Sequence, residues 1–182
     1  YEAKNKGRNQ VCFFDHSLQQ SIEIRTNLES DLRQAISMQQ LQLYYQIQIN
    51  SDSRPIGAET LIRWKHPERG MVLPSQFIPI AEEVLLIDSI GSWVIDSAFQ
   101  QLSKWEKNDK TRDLTLAINV SARQFQSPNF VEFIRSAIKT HRIEPSRIKL
   151  ELTESVLLAN IDDVAGKMKE LGELGLQLSI DD

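Results

Sequence analysis

Ile56-Gly57-Ala58-Glu59-Thr60-Leu61-Ile62-Arg63-Trp64 is the stretch of this 182-residue chain that decides its fold. Its apolar and β-branched residues predict a β-strand, and the alternation of side chains along a strand places Glu59, Leu61 and Arg63 on one face. The residues between them form the other, more apolar face. Such a strand predicts a sheet with one face buried under helices and a second face that carries charge.

On both sides of this strand the chain alternates short apolar stretches with longer stretches of helical period, which is typical of an α/β fold with a parallel sheet. The predicted strands are residues 41–49, 56–64, 114–120, 148–153 and 176–181. The predicted helices begin near Pro74, Pro128 and Asp162, and a long helix covers residues 88–105. Because Pro79 lacks an N–H group, we expect residues 75–78 to form a short helical turn and Pro79 to begin the next helix.

The first 40 residues have a different character from the rest. Residues 1–16 are polar, with a basic cluster and one short apolar run, and we interpret them as the tail of a preceding domain. In residues 17–40, Leu28, Leu32 and Ile36 recur every four positions, which predicts an amphipathic linker helix. Residues 41–182 then form the main domain.

The later strands also carry polar or acidic residues among apolar neighbours. Asn119 lies near the end of the third predicted strand, Glu151 lies within the fourth, and Asp181 and Asp182 close the fifth. Taken singly, each has an ordinary explanation, such as a solvent-facing carboxylate, an amide that satisfies a turn, or a solvated chain end. If the apolar faces lie under helices, however, these residues and Glu59 converge inside a barrel. The sequence therefore predicts a strongly acidic centre.

An acidic centre of this kind requires a cation, because each unpaired buried charge costs on the order of several kcal/mol. Carboxylates and a side-chain amide are hard oxygen ligands, which select magnesium, manganese or calcium. Two such ions in one site are a known arrangement for in-line displacement at phosphorus. The predicted chemistry is therefore phosphodiester hydrolysis.

Five motifs in order resemble the EAL domain family. The first is the stretch 59–64 followed by His66-Pro67-Glu68-Arg69-Gly70, with Glu-Thr-Leu in place of Glu-Ala-Leu. The others are Phe77-Ile78-Pro79-Ile80-Ala81-Glu82, Asn119-Val120-Ser121-Ala122-Arg123-Gln124-Phe125, Glu151-Leu152-Thr153-Glu154-Ser155 and Asp181-Asp182. A shorter resemblance, over residues 1–9, is to the last helix and strand of a GGDEF domain.

The EAL resemblance implies a modified TIM (β/α)8 barrel with an antiparallel first strand, of which about the first five strands lie in this chain. It also implies hydrolysis of cyclic di-GMP to linear pGpG, with two Mg2+ or Mn2+ ions as cofactors. The implied metal ligands and catalytic residues are Glu59, Asn119, Glu151, Asp181 and Asp182. Gln46, Leu61 and Arg63 would contact the substrate, and Glu154 would brace the loop after the fifth strand.

Some positions depart from the family pattern. Ile47 stands where proline usually follows Tyr-Gln, and Val84-Leu85-Leu86 replaces a more typical Thr-Gly-Leu, but neither change removes a catalytic group. The chain ends at Asp182, so the family's Phe-Gly-Thr-Gly loop, a lysine that assists the attacking water and a later glutamate ligand would lie beyond it. We therefore expect residues 1–182 alone to be inactive.

Composition restricts the classes of partner and compartment. The 25 acidic and 21 basic residues are well mixed and give a net charge of -4, which argues against binding to polymeric nucleic acid. Cys12 is the one cysteine, so an internal disulfide and a multi-thiolate metal site are excluded. A lone cysteine fits a reducing compartment, and we expect a cytoplasmic domain with any inner-membrane anchor outside this chain.

Three functions remain open from sequence. The first is a cyclic di-GMP phosphodiesterase, the second is a receptor module that binds the dinucleotide without cleaving it, and the third is a structural dimerisation unit. The intact candidate ligands favour the enzyme, since a receptor has no need of them. The expected partners are cyclic di-GMP, upstream GGDEF or sensor domains of the same polypeptide, and a second copy of the chain in a homodimer. His66 and His141 are interpreted as surface or turn residues without a role.

Overall fold

Six strands form one mixed sheet in the residues that the computed structural model describes, which are 16–158 and 161–181. The strands are β1 Leu41–Ile49, β2 Pro55–His66, β3 Gly70–Val72, β4 Thr115–Val120, β5 Ile148–Thr153 and β6 Gln177–Asp181. Their order is β1-β2-β4-β5-β6, with β3 paired to the end of β2. The pair β1–β2 is antiparallel, whereas β2–β4, β4–β5 and β5–β6 are parallel. Within the described residues β1 and β6 do not pair with each other, so the sheet is open.

Helices connect the parallel strands, as the alternation in the sequence predicts. They are α1 His16–Ala35, α2 Pro74–Glu83, α3 Ile87–Trp105, α4 Ala122–Gln126, α5 Phe130–His141 and α6 Ile161–Glu173, with 3-10 turns at Pro145–Arg147 and Glu154–Leu158. None of the helices in the described part of the chain combines the length and apolar character that a membrane crossing needs.

The main core lies between the helices and the outer face of the parallel strands. The residues on that face are Leu116, Ile118, Val120, Ile148, Leu150 and Leu152, each at most 1% exposed. They share one cluster with Phe99 of α3, Ile134 of α5 and Leu171 of α6. Full burial of an apolar side chain of this size contributes about 1.5–3 kcal/mol. The alternation of side chains therefore commits one face of each strand to the core.

The linker helix α1 packs on the same folded unit through a second core. Leu28, Leu32 and Ala35 are at most 6% exposed and lie in a cluster with the fully buried Trp64 of β2. The helix ends at Ala35, before the predicted limit at residue 40, and Gln39 adopts a positive φ of 55° where the chain turns into β1.

The interpretation of His66 as a surface residue is wrong, because its side chain is only 4% exposed, whereas the alternative of a turn residue agrees with its position next to the β2–β3 turn. Its Nδ1 accepts the backbone N–H groups of Glu68 at 3.1 Å and Arg69 at 3.2 Å, which assigns the proton to Nε2. Nε2 then donates to a carboxylate oxygen of Asp31 in α1 at 3.0 Å. These bonds shape the turn from β2 into β3, a short strand that the sequence does not predict, and they attach α1 to that turn.

The predicted break at Pro79 is also wrong, because α2 is one helix that includes this proline. Pro79 is exposed, and so is Ser75, whose carbonyl would have accepted the missing hydrogen bond. Water can satisfy that carbonyl, while the buried Phe77 and Ile80 hold both halves of the helix against the core. The next helix, α3, begins at Ile87.

The turn between α2 and α3 generates the first prediction. Leu85 lies there with a φ of 62° and is 58% exposed. A Cβ atom in this left-handed region costs about 1–2 kcal/mol, whereas glycine adopts it readily. We predict that Leu85→Gly is more stable than Leu85→Ala by about 1 kcal/mol in the free energy of unfolding, measured with urea. Both variants remove the exposed side chain, so equal stabilities would show that the backbone at Leu85 is not strained.

Candidate functional site

The inner face of the sheet carries the polar residues singled out in the sequence. In the parallel register, Asn119 of β4 lies beside Glu151 of β5, and Glu151 lies beside Ser179 of β6. Glu59 of β2 lies beside Ala117, two residues before Asn119 along β4. Residues in register, and those two apart on one strand, share a face. The structure therefore brings Glu59, Asn119 and Glu151 to the same side of three adjacent strands.

A hydrogen bond joins the first two of these side chains. Nδ2 of Asn119 donates to Oε1 of Glu59 at 2.9 Å. Because this bond uses an N–H of the amide, Oδ1 of Asn119 keeps its capacity to accept a hydrogen bond or bind a cation. Glu59 is half-buried and Asn119 is exposed, so the pair lies at an accessible edge of the inner face.

Glu151 lies deeper and has a cationic partner. The residue is 8% exposed, and Nζ of Lys149 donates to its Oε1 at 2.7 Å. Lys149 precedes Glu151 by two positions on β5, so the alternation that reveals Glu151 also places the lysine on its face. No role was predicted for Lys149 from the sequence, although its spacing of two residues from Glu151 on a strand could have indicated the ion pair. A buried carboxylate requires such a counter-charge, and the ammonium group supplies one.

The predicted substrate contacts lie next to Glu59. Gln46 of β1 pairs directly across from Glu59, and Tyr44 pairs across from Leu61. The guanidinium carbon of Arg63 lies 6.0 Å from the centre of the Tyr44 ring, at the outer limit of a cation–π contact. The sequence did not identify Tyr44, although its position in an antiparallel pair with the Glu59 strand makes it a neighbour of Leu61.

The remaining predicted site residues are less fully described. The backbone of Asp181 is in register with Thr153 of β5, at the end of β6. Asp182 lies outside the described residues, as do residues 1–15, on which the predicted GGDEF tail falls. Glu154 begins the 3-10 turn after β5 and is exposed. The roles of all the predicted site residues stay predictions.

Glu59, Asn119 and Glu151 together form the polar cluster. A cavity of about 310 Å³ adjoins this cluster at Asn119. Leu61 and Asn119, both at inner-face positions of their strands, are among its lining residues, and so is Gln124 of α4. Apolar side chains of α2 and α3, including Ile78 and Ile87, line much of the remainder. A largely apolar cavity with a few polar groups in its lining is the usual form of a small-molecule site.

The cluster fits a hard divalent cation in donor type and in charge. Glu59, Asn119 and Glu151 offer carboxylate and amide oxygens, which Mg2+ and Mn2+ prefer. The two carboxylates carry two negative charges, and the ammonium group of Lys149 offsets one of them. A net negative charge remains to attract a cation. In the described ranges, no three His, Cys, Asp or Glu side chains are grouped closely enough to hold an ion. The two glutamates and the amide would therefore form part of a ligand set.

Comparison with known proteins shows a match over most of the chain. The family model described as EAL domain matches residues 29–182. The chain is 40% identical over 183 residues to the bifunctional diguanylate cyclase/cyclic di-GMP phosphodiesterase MucR of Pseudomonas aeruginosa, an alignment that covers 100% of the chain and 27% of MucR. It is 35% identical over 182 residues to the cyclic di-GMP phosphodiesterase PdeR of Escherichia coli, an alignment that covers 100% of the chain and 27% of PdeR. The chain thus spans about a quarter of the length of these curated relatives.

Solved structures match the fold closely. A complex of the MucR phosphodiesterase with c-di-GMP aligns with a TM-score of 0.82 and 39% identity, over 86% of this chain and 63% of that one. The EAL enzyme Bd1971 in its cAMP- and cyclic-di-GMP-bound form aligns with a TM-score of 0.82 and 31% identity, over 89% of this chain and 45% of that one. These alignments confirm the predicted α/β, TIM-barrel-like fold.

The ion pair on β5 generates a prediction about stability. Lys149→Met should lower the free energy of unfolding by about 1–3 kcal/mol in EDTA, because it leaves the carboxylate of Glu151 buried without its cation. Adding Glu151→Gln should restore most of the loss, since a neutral amide needs no counter-charge. Urea unfolding measures both variants.

The control for this prediction is Lys169→Met, which removes a lysine whose side chain is 78% exposed and whose ion pair with Glu173 is 3.9 Å long. Exposed pairs of this kind contribute about 0–1 kcal/mol, so this variant should stay close to the parent. A double variant no more stable than Lys149→Met would contradict the assignment of the lysine as counter-charge to Glu151.

Proposed function

The chain belongs to the EAL domain family, and from that membership we propose that, within the intact protein, it hydrolyses cyclic di-GMP to linear pGpG with Mg2+ or Mn2+. The observation that carries the proposal is the cluster of Glu59, Asn119 and Glu151 on adjacent strands beside a cavity. The names of MucR and PdeR as cyclic di-GMP phosphodiesterases support it.

The cavity and its rim suit one half of a cyclic dinucleotide. Its volume is at the small end of the range for small-molecule sites, about 300–1,000 Å³, and its apolar walls suit the faces of a nucleobase. Leu61 lies in the lining, where it would contact the base. Arg63 lies two residues farther along the same face of β2, and its guanidinium group would bind a phosphate through paired hydrogen bonds.

The polar cluster suits the reaction at phosphorus. A divalent ion held there would polarise the phosphoryl oxygen and lower the pKa of a bound water. Asn119 fixes the carboxylate of Glu59 through its 2.9 Å hydrogen bond, and Lys149 fixes the carboxylate of Glu151 through its 2.7 Å ion pair. Side chains that are already oriented lose little entropy when they bind a ligand. Asp181 and Asp182 are proposed to complete the ligand set.

We predict that Glu59→Gln in the intact protein lowers kcat for pGpG formation by at least about 100-fold, because one ligand carboxylate is lost while the shape of the side chain is kept. Chromatography of the nucleotide products measures the rate. Glu68→Gln is the matched control, since Glu68 is an exposed glutamate on the same segment, in the β2–β3 turn. Equal rates for Glu59→Gln and the parent protein would contradict the assignment of the site.

Removal of metal gives an independent test of the cofactor. We predict that EDTA abolishes pGpG formation and that excess Mg2+ or Mn2+ restores it, because oxygen ligands of this type hold these ions reversibly. Calorimetry with cyclic di-GMP separates binding from turnover. Tight binding of the dinucleotide without product, under every metal condition, would favour the receptor function instead.

A further inference from the structure

Gln124 is a buried polar residue to which neither the sequence motifs nor the proposed chemistry assigns a task. It is 8% exposed, lies in α4 and forms part of the wall of the cavity beside Asn119. Its side-chain amide rests against α3 at Gly91. A Cβ atom at Gly91 would lie 1.7 Å from Nε2 and 2.1 Å from the amide carbon of Gln124. The absence of a side chain at Gly91 therefore creates the space that the amide occupies.

The other end of the same amide holds the backbone that follows Asn119. Oε1 of Gln124 accepts the hydroxyl of Ser121 at 3.2 Å and the N–H of Ser121 at 3.4 Å. In return, Oγ of Ser121 accepts the N–H of Gln124 at 3.3 Å. Ser121 is thus bonded from both directions, two residues after Asn119 and immediately before α4. Such a reciprocal cap satisfies two donors at the start of the helix and holds Ser121 at its N-cap position.

The far end of α4 is fixed as well. Nζ of Lys167 in α6 donates to the carbonyls of Phe125 at 3.1 Å and Gln126 at 3.0 Å, and the residue is 8% exposed. A cation at the last carbonyls of a helix is favourable because it satisfies acceptors that have no partner within the helix. The short helix is therefore held at its start by Gln124 and at its end by Lys167.

We propose that Gln124 is a positioning residue, which holds Ser121 and thereby aims the side chain of Asn119 at Glu59, and that Gly91 leaves the space this requires. The catalytic part of this inference rests on the proposed function. If the capping box only stabilised α4, its loss would lower the stability of the protein but would leave kcat and KM unchanged. A positioning role instead predicts a loss of kcat with little change in KM, because Gln124 acts through Asn119.

The test uses four variants of the intact protein and one matched control variant. Gln124→Met keeps the length of the side chain but removes its hydrogen bonds, and Gln124→Ala also vacates the space beside Gly91. Gly91→Ala forces the amide out, and it is also combined with Gln124→Ala. Gly166→Ala in α6 is the matched control, because a Cβ atom there would meet nothing within 4 Å.

We expect Gln124→Met, Gln124→Ala and Gly91→Ala each to lower kcat for pGpG formation at least about tenfold, with KM within about twofold of the parent. The kcat of the double variant should lie within about twofold of the kcat of Gln124→Ala, since no amide remains for a side chain at position 91 to displace. Gly166→Ala should match the parent. Unchanged kcat in Gln124→Met, or losses that multiply in the double variant, would overturn the proposal while leaving the proposed function intact.

Amide hydrogen exchange supplies a readout that does not depend on the substrate. Gln124→Met should speed exchange at residues 119–122 by at least about tenfold relative to the parent, with exchange in β5 unchanged, because Ser121 loses its acceptor. If the parent protein cleaves no cyclic di-GMP, the proposed function fails, and exchange then tests the remaining part of the inference, that Gln124 holds the backbone at Ser121. Unchanged exchange at residues 119–122 would overturn that part.

Discussion

The alternation of side chains across hydrogen-bonded strands is the constraint on which the rest of this structure depends. Leu116 and Ile118 on β4 and Leu150 on β5 are fully buried under helices, so the register of both strands is fixed by a large apolar area. Asn119 and Glu151, which directly follow Ile118 and Leu150, then have to lie on the inner face. A slip of one residue would exchange the two faces and bury the polar set under the helices. The position of the polar cluster is therefore a consequence of how the core packs.

The same core offsets the cost of placing charge on the inner face. Glu151 is buried, and its ion pair with Lys149 spans two positions of one strand, so it requires no long-range arrangement. Close approach of the strands depends on a small residue, because a Cβ atom at Gly57 would lie 2.4 Å from Oγ1 of Thr115. With glycine at that position, β2 can run beside β4 and bring Glu59 within hydrogen-bond distance of Asn119. The geometry of the polar cluster thus depends on the close contact between Gly57, two residues before Glu59, and Thr115.

The sequence predicted the five longer strands and the inner-face positions of Glu59, Asn119 and Glu151 because both follow from a period of two, which is a local property of the chain. It failed where tertiary packing overrides a local rule. Pro79 is tolerated inside α2 because the affected carbonyl faces solvent, and His66 is buried because α1 supplies Asp31 as a partner from 35 residues away. The space that Gly91 leaves for Gln124 was equally invisible, since these residues belong to two different helices. The bonds between Gln124 and Ser121, in contrast, follow a local Ser-x-x-Gln pattern that the sequence carries.

Strand β2 connects the two cores, and this connection gives α1 a structural relation to the polar cluster. At its end, Trp64 is fully buried against α1, and its Nε1 donates to the side chain of Gln40 at 3.0 Å. Five residues earlier on the same strand, Glu59 bonds Asn119. Trp64 and Glu59 both pair with β1, across from Leu41 and Gln46, so the contact with α1 and the bond to Asn119 lie on one continuous antiparallel pair of strands. The docking of α1 and the geometry of the polar cluster are thus two properties of one strand.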